Sequence, residues 1–252
     1  MGWFVVSRLP TNKRVVHATG PSGRALLRTR LVVLGATRPA PLALTLAVLL
    51  ATGCWRIGDA TPSDALVTWA AYPETVRVNE PFSFEFAGPV SPDQCGRLDT
   101  ATLAITDASV ELAAVRNTFS TMCSPQNVSF YEARPLRIAT PGAYRVRGSA
   151  GIDLGTLIVT DTGSFSGIRA WGEGTIREAA GCWLFGPGWI GSQRVFALDG
   201  LSPELREVGT ERVLHVRGRL RAFSDCGNWG SRPRIRVDTA WATDKTVGDL
   251  YP

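Results

Sequence analysis

The chain has 252 residues, 27 of them Lys or Arg and 22 Asp or Glu, for a formal net charge of +5. Residues 1–53 carry seven of the basic side chains and no acidic one, which leaves 20 basic against 22 acidic residues from Cys54 onward, a net of −2. The excess charge therefore belongs to the leader and gives no support to a nucleic-acid partner, while 26 Gly and 16 Pro are too few for a fibrous or disordered chain.

The leader, residues 1–53, reads as an export signal. Arg24, Arg28, Arg30 and Arg38 precede an apolar run from Leu42 to Thr52, and Gly53 and Cys54 follow. A membrane span needs about 20 apolar residues, and Arg38, Pro39 and Pro41 prevent this run from being lengthened. The order of positive, apolar and small residues is that of a signal peptide. Leu50-Ala51-Thr52-Gly53-Cys54 resembles the lipobox of bacterial lipoproteins, in which signal peptidase II cuts before the cysteine and the thiol carries diacylglycerol. The resemblance implies lipidation at Cys54, a membrane partner through the N-terminal lipid, and a place in the cell envelope facing the periplasm or the cell surface. Simple cleavage at the Ala-x-Gly pattern is the competing expectation. The leader is long for such a signal, which points to a translation start further downstream.

Residues 54–66 lack periodicity and are expected to be a lipidated tether. Residues 67–162 show short alternating apolar runs separated by Pro, Gly and Asp, the pattern of a β-sandwich. Thr75 to Ala87 reads as two strands broken at Asn79-Glu80-Pro81, with Phe82, Phe84 and Phe86 on one face. The stretch from Leu136 to Val146, with its Pro141-Gly142 turn and Tyr144, resembles the entry to the penultimate strand of immunoglobulin-like domains. That likeness implies a tyrosine packed back on its turn. It departs from the family at Cys95 and Cys123, which flank the middle strands.

A polar linker at residues 161–167 marks the expected boundary, near residue 163. Residues 163–252 then offer five strand-like segments and a Gly-Pro-Gly hairpin at 186–188, the pattern of a small barrel. The order Gly174-Thr-Ile-Arg177, Gly181-Cys-Trp183, Val195 to Leu198, Leu201 to Leu205, Val213 to Leu220, Cys226 and Ile235 to Val237 resembles an OB-like domain of bacterial lipoproteins. It implies a disulfide-closed barrel and brings no activity with it. The expected fold is all-β: an immunoglobulin-like β-sandwich followed by a small OB-like β-barrel.

With Cys54 assigned to lipid, four cysteines remain, two in each expected domain, so Cys95 pairs with Cys123 and Cys182 with Cys226. In an oxidising compartment each bridge contributes about 3–4 kcal/mol. No two cysteines have the close spacing of a zinc site, so no metal and no cofactor is expected.

Catalytic signatures are absent from the pattern. After Cys54 there is one histidine, His215, and it is expected at a surface strand position beside Arg217 and Arg219. Gly186 to Gly191 lacks the Lys-Ser/Thr of a phosphate loop. Binding is better represented. Between Leu205 and Arg236 stand eight arginines against Glu207, Glu211 and Asp225, and Arg217, Arg219, Arg234 and Arg236 alternate with apolar residues. Two strands carrying them would present one cationic face, with Trp171, Trp183, Trp189, Trp229 and Trp241 available for stacking. In the envelope such a face suits anionic glycans or lipid head groups; a plain solvated surface is the competing reading. The expectation is a non-catalytic binding or structural protein, with a periplasmic hydrolase or an assembly or chaperone-like partner as alternatives.

Overall fold

The computed structural model describes residues 60–119, 122–162, 167–188 and 194–251. The leader, Cys54, the first part of the expected tether and Trp189 lie outside them. The described chain is all-β, with fourteen strands in two sheets and a single six-residue α-helix.

The first sheet contains β1 (Thr61–Ala65), β3 (Thr75–Arg77), β5 (Gly96–Ile105), β6 (Ser109–Thr118), β8 (Gly142–Arg147) and β9 (Asp153–Thr160). Residues 61–65, expected in the tether, thus form a strand paired with β6. Their sequence hides it because four of the five residues are polar or proline and only Ala65 is fully buried. The second sheet runs in the order β11 (Cys182–Gly186), β12 (Phe196–Asp199), β14 (Ser231–Thr246), β13 (Arg212–Asp225), β10 (Ile168–Ala179), β2 (Trp69–Pro73), β4 (Phe82–Ser91) and β7 (Val128–Leu136). The helix, α1 (Pro203–Val208), joins β12 to β13 and is capped by the Ser202 hydroxyl, which accepts from the Leu205 amide.

Two apolar cores meet on one strand. Phe82, Phe84 and Phe86 do share a buried face, and Phe84 stacks on Tyr72 with ring centroids 5.0 Å apart. With Ala70, Phe130, Leu154 and Leu157 they fill the space between the two sheets. The break at Asn79 is real: its φ of 60° turns the chain between β3 and β4. Tyr144 packs back on its turn, its hydroxyl donating to the Thr140 carbonyl at 2.9 Å.

On β2, alternate residues serve the other core. Trp69 and Ala71 point away from Tyr72 and pack with Phe185, Phe196, Leu214, Val216 and Ile235; the Trp69 and Phe196 rings lie 4.8 Å apart. This core lies inside a ring of five strands, because β11 pairs with β10 as well as with β12. All ring pairings are antiparallel except β12 with β14.

Strands on the two sides of residue 163 are hydrogen-bonded to each other, β2 lying antiparallel to β10 over Trp69–Pro73 and Ile168–Gly172. Gly172 permits the close approach, since a Cβ there would sit 2.3 Å from the Thr68 carbonyl oxygen. The sequence pattern places the first strand of the ring at Gly174, whereas β10 begins at Ile168, and those six earlier residues make the join. Both disulfides form as paired above, with Cα separations of 5.5 Å for Cys95–Cys123 and 5.6 Å for Cys182–Cys226. Asp93 lies close to Cys95 and Cys123, but their sulfurs are bonded to each other and offer no thiolate to a metal.

Candidate ligand-binding face

One face of the second sheet changes character where the first sheet ends. Across the strands the register places Ala70, Trp171, Arg217 and Thr239 in one row, and Tyr72, Arg169, Arg219 and Arg236 in the next. Ala70 and Tyr72 lie under the first sheet and are buried. Three successive residues of β9 form the border. The Leu154 carbonyl accepts from the Tyr72 hydroxyl at 2.6 Å, Gly155 lies against the Trp171 ring, and the Asp153 carboxylate stands 3.8 Å from Arg217. Only glycine fits at 155, where φ is +98° and a Cβ would come within 2.6 Å of the Trp171 ring.

Beyond that border the four arginines singled out by their alternation, Arg217, Arg219, Arg234 and Arg236, do lie on one face, and Arg221 joins them. Arg219 is directly opposite Arg236 and Arg221 directly opposite Arg234. Like charges directly opposite across an antiparallel pair destabilise it. Asp199, Arg221, Arg234 and Arg236 line a cleft of about 500 Å³. Among the described residues the carboxylates nearest to three of these guanidinium groups do not reach hydrogen-bond distance: Arg217 to Asp153 is 3.8 Å, Arg219 to Asp238 is 3.9 Å and Arg234 to Asp199 is 3.8 Å.

Arg169 shows the difference. It contacts Glu74 at 2.7 Å and Asp238 at 3.2 Å, and the hydrogen bond to Glu74 raises its pKa further. Arg169 thereby ties β10 to the residue that follows β2 and to β14, whereas Arg217 and Arg234 make only long ion pairs and their buried Nε atoms have no acceptor among the described residues.

Aromatic rings flank one end of the row. The Arg217 guanidinium carbon lies 4.4 Å from the Trp171 ring centroid and 5.1 Å from that of Trp241. Trp183 packs against the core inside the five-strand ring, and Trp229 belongs to a small satellite core beside the Cys182–Cys226 bridge, so neither stands on this face.

His215 corrects the expectation of a surface position. It is 5% exposed and stacked on Trp241, with centroids 4.2 Å apart and planes 10° from parallel. Its cross-strand partners are Glu173 and Trp241, and Glu173 in turn binds the Lys245 ammonium at 2.6 Å. Burial, assisted by the Arg217 charge, pushes the imidazole pKa down to about 4. It is neutral at neutral pH and acts as the base of the Trp241 stack. Alternation predicted its face correctly. The cover that Glu173 and Trp241 provide is a cross-strand property that a single strand does not reveal. Arg221 was recoverable, because it continues the 217, 219 alternation; Asp153, Asp199 and Asp238 carried no such signal.

No family model, curated protein or solved structure matches the chain.

Proposed function

We propose that this chain is an exported, lipid-anchored binding protein of a bacterial envelope, holding anionic groups of glycans or lipid head groups on the outer face of β13 and β14, without catalysis. The observation that carries the reading is the pair of opposed arginine couples, Arg219 with Arg236 and Arg221 with Arg234, whose donors lack close acceptors among the described residues. A fold tolerates such local repulsion where something else repays it, and a bound phosphate or carboxylate does so through charge-assisted, bidentate hydrogen bonds. The signal-like leader and two disulfides support export.

The subtypes of the fold belong to the same reading. The five-strand ring, with α1 between its third and fourth strands and a parallel pairing of third to fifth, supports an OB-like barrel. The Tyr144 turn bond supports an immunoglobulin-like sandwich before it. OB barrels commonly bind ligands between the loops that follow their first and fourth strands. Here Cys182 and Cys226 tie those two regions together, which favours the β13–β14 face instead. Titration of the protein with anionic-lipid vesicles and with phosphorylated glycans, at low and high salt, tests the proposal. Salt-sensitive binding that disappears in Arg219→Glu/Arg236→Glu is expected; absence of salt-sensitive binding to either ligand class overturns it.

A further inference from the structure

We infer that the arginine face is one part of a longer track, and that its ligand is a linear polyanion with phosphate groups repeated along its length. This rests on the reading of β13 and β14 as an anion-binding face. The added observation is a second cationic cleft, of about 390 Å³, on the outer side of β8 and β9. Arg145 and Arg147 line it, pointing outward because Tyr144 and Val146, which alternate with them along β8, are buried in the sandwich core. Asp153 lines the same cleft, is the cross-strand partner of Arg147, and faces Arg217 at 3.8 Å. One carboxylate therefore joins the two cationic regions.

From this joint the cations continue in rows along β13: Arg217, then Arg219 with Arg236, then Arg221 with Arg234. Residues two apart on a strand are spaced about 7 Å, close to the repeat of phosphates along an extended phosphodiester chain. A single phosphate or carboxylate needs one such row. Successive rows together with the Arg145–Arg147 cleft exceed that need, and the nearest carboxylates, Glu111 at 4.0 Å from Arg147 among them, make only long contacts. Trp241, exposed beside Arg217, supplies apolar surface at the point where uncharged units of the chain would rest. Charges repeated at the spacing of the rows convert weak single contacts into avidity.

The test uses the full chain with tripolyphosphate, long-chain inorganic polyphosphate, a glycerol-phosphate polymer and anionic-lipid vesicles as probes. The long polymers are expected to bind at least about a hundredfold tighter, per phosphate, than tripolyphosphate. Arg145→Gln/Arg147→Gln is expected to weaken the long polymers by about tenfold or more, to lower the slope of log affinity against log salt by about two, and to leave tripolyphosphate unchanged. Arg219→Glu/Arg236→Glu weakens every phosphate probe. Affinity per phosphate independent of length, or polymer binding indifferent to the Arg145/Arg147 change, overturns the track while the face stands. Tripolyphosphate binding that ignores Arg219 and Arg236 removes the face itself. Preference for vesicles over both polymers also overturns the track and directs the face to a lipid surface.

Discussion

Arg219 on β13 stands directly across from Arg236 on β14, and the nearest carboxylate to Arg219 among the described residues, that of Asp238, is 3.9 Å away. An antiparallel sheet chosen for stability alone would place opposite charges there, because a cross-strand couple of like charge costs part of what a matched one contributes. The couple is repeated two residues further along by Arg221 and Arg234.

Arg219→Glu alone is therefore expected to raise folding stability by about 0.2–1 kcal/mol, since it creates an opposed Glu–Arg pair, while it weakens binding to anionic ligands. Chemical denaturation and vesicle titration of one variant measure both. A fall in stability together with unchanged binding would show the couple to be structural.

The Trp69 side chain fills the contact between β2 and the five-strand ring. Trp69→Ala is expected to cost about 3–5 kcal/mol and to loosen the ring as well as β2. Hydrogen exchange along β10 and β13 checks this. Protection lost only from β2 would mean that the two cores are energetically separate.

Acidification should destabilise the protein through His215. Its folded pKa of about 4 lies below the ordinary histidine value of 6.5, so between those values the unfolded chain binds a proton that the folded one does not. Stability is full above about pH 6.5 and falls by up to about 3 kcal/mol as pH drops toward 4. In His215→Phe this part of the pH dependence should vanish, as melting curves across that range would record.

Each disulfide closes a loop, of sequence separation 28 for Cys95–Cys123 and 44 for Cys182–Cys226. Chain-entropy arguments give each a stabilisation of about 4 kcal/mol. Cys182→Ser/Cys226→Ser is expected to release the turn at Cys226 to Gly230 and the satellite core around Leu184, Ala197 and Trp229, with a matching fall in denaturation midpoint. An unchanged midpoint would contradict it.

Cys54→Ala is expected to abolish labelled-palmitate incorporation and membrane association, because the apolar run ahead of it is too short to anchor the chain. A cleaved variant that still partitions with membranes would defeat the lipid assignment.

The sequence by itself determined the all-β class, the face shared by Phe82, Phe84 and Phe86, both disulfide pairings and the common face of Arg217, Arg219, Arg234 and Arg236. These follow from the two-residue period of a strand or from cysteine grouping, and both are local properties of the chain. Strand pairing is not local. Only the tertiary structure decided that β2 buries both of its faces and joins strands from either side of residue 163, that Arg219 meets Arg236 rather than a carboxylate, and that His215 is covered by Trp241. Register is set by which hydrophobic faces fit together across long sequence separations, and a slip of a single residue would have turned every one of those arginines toward the core.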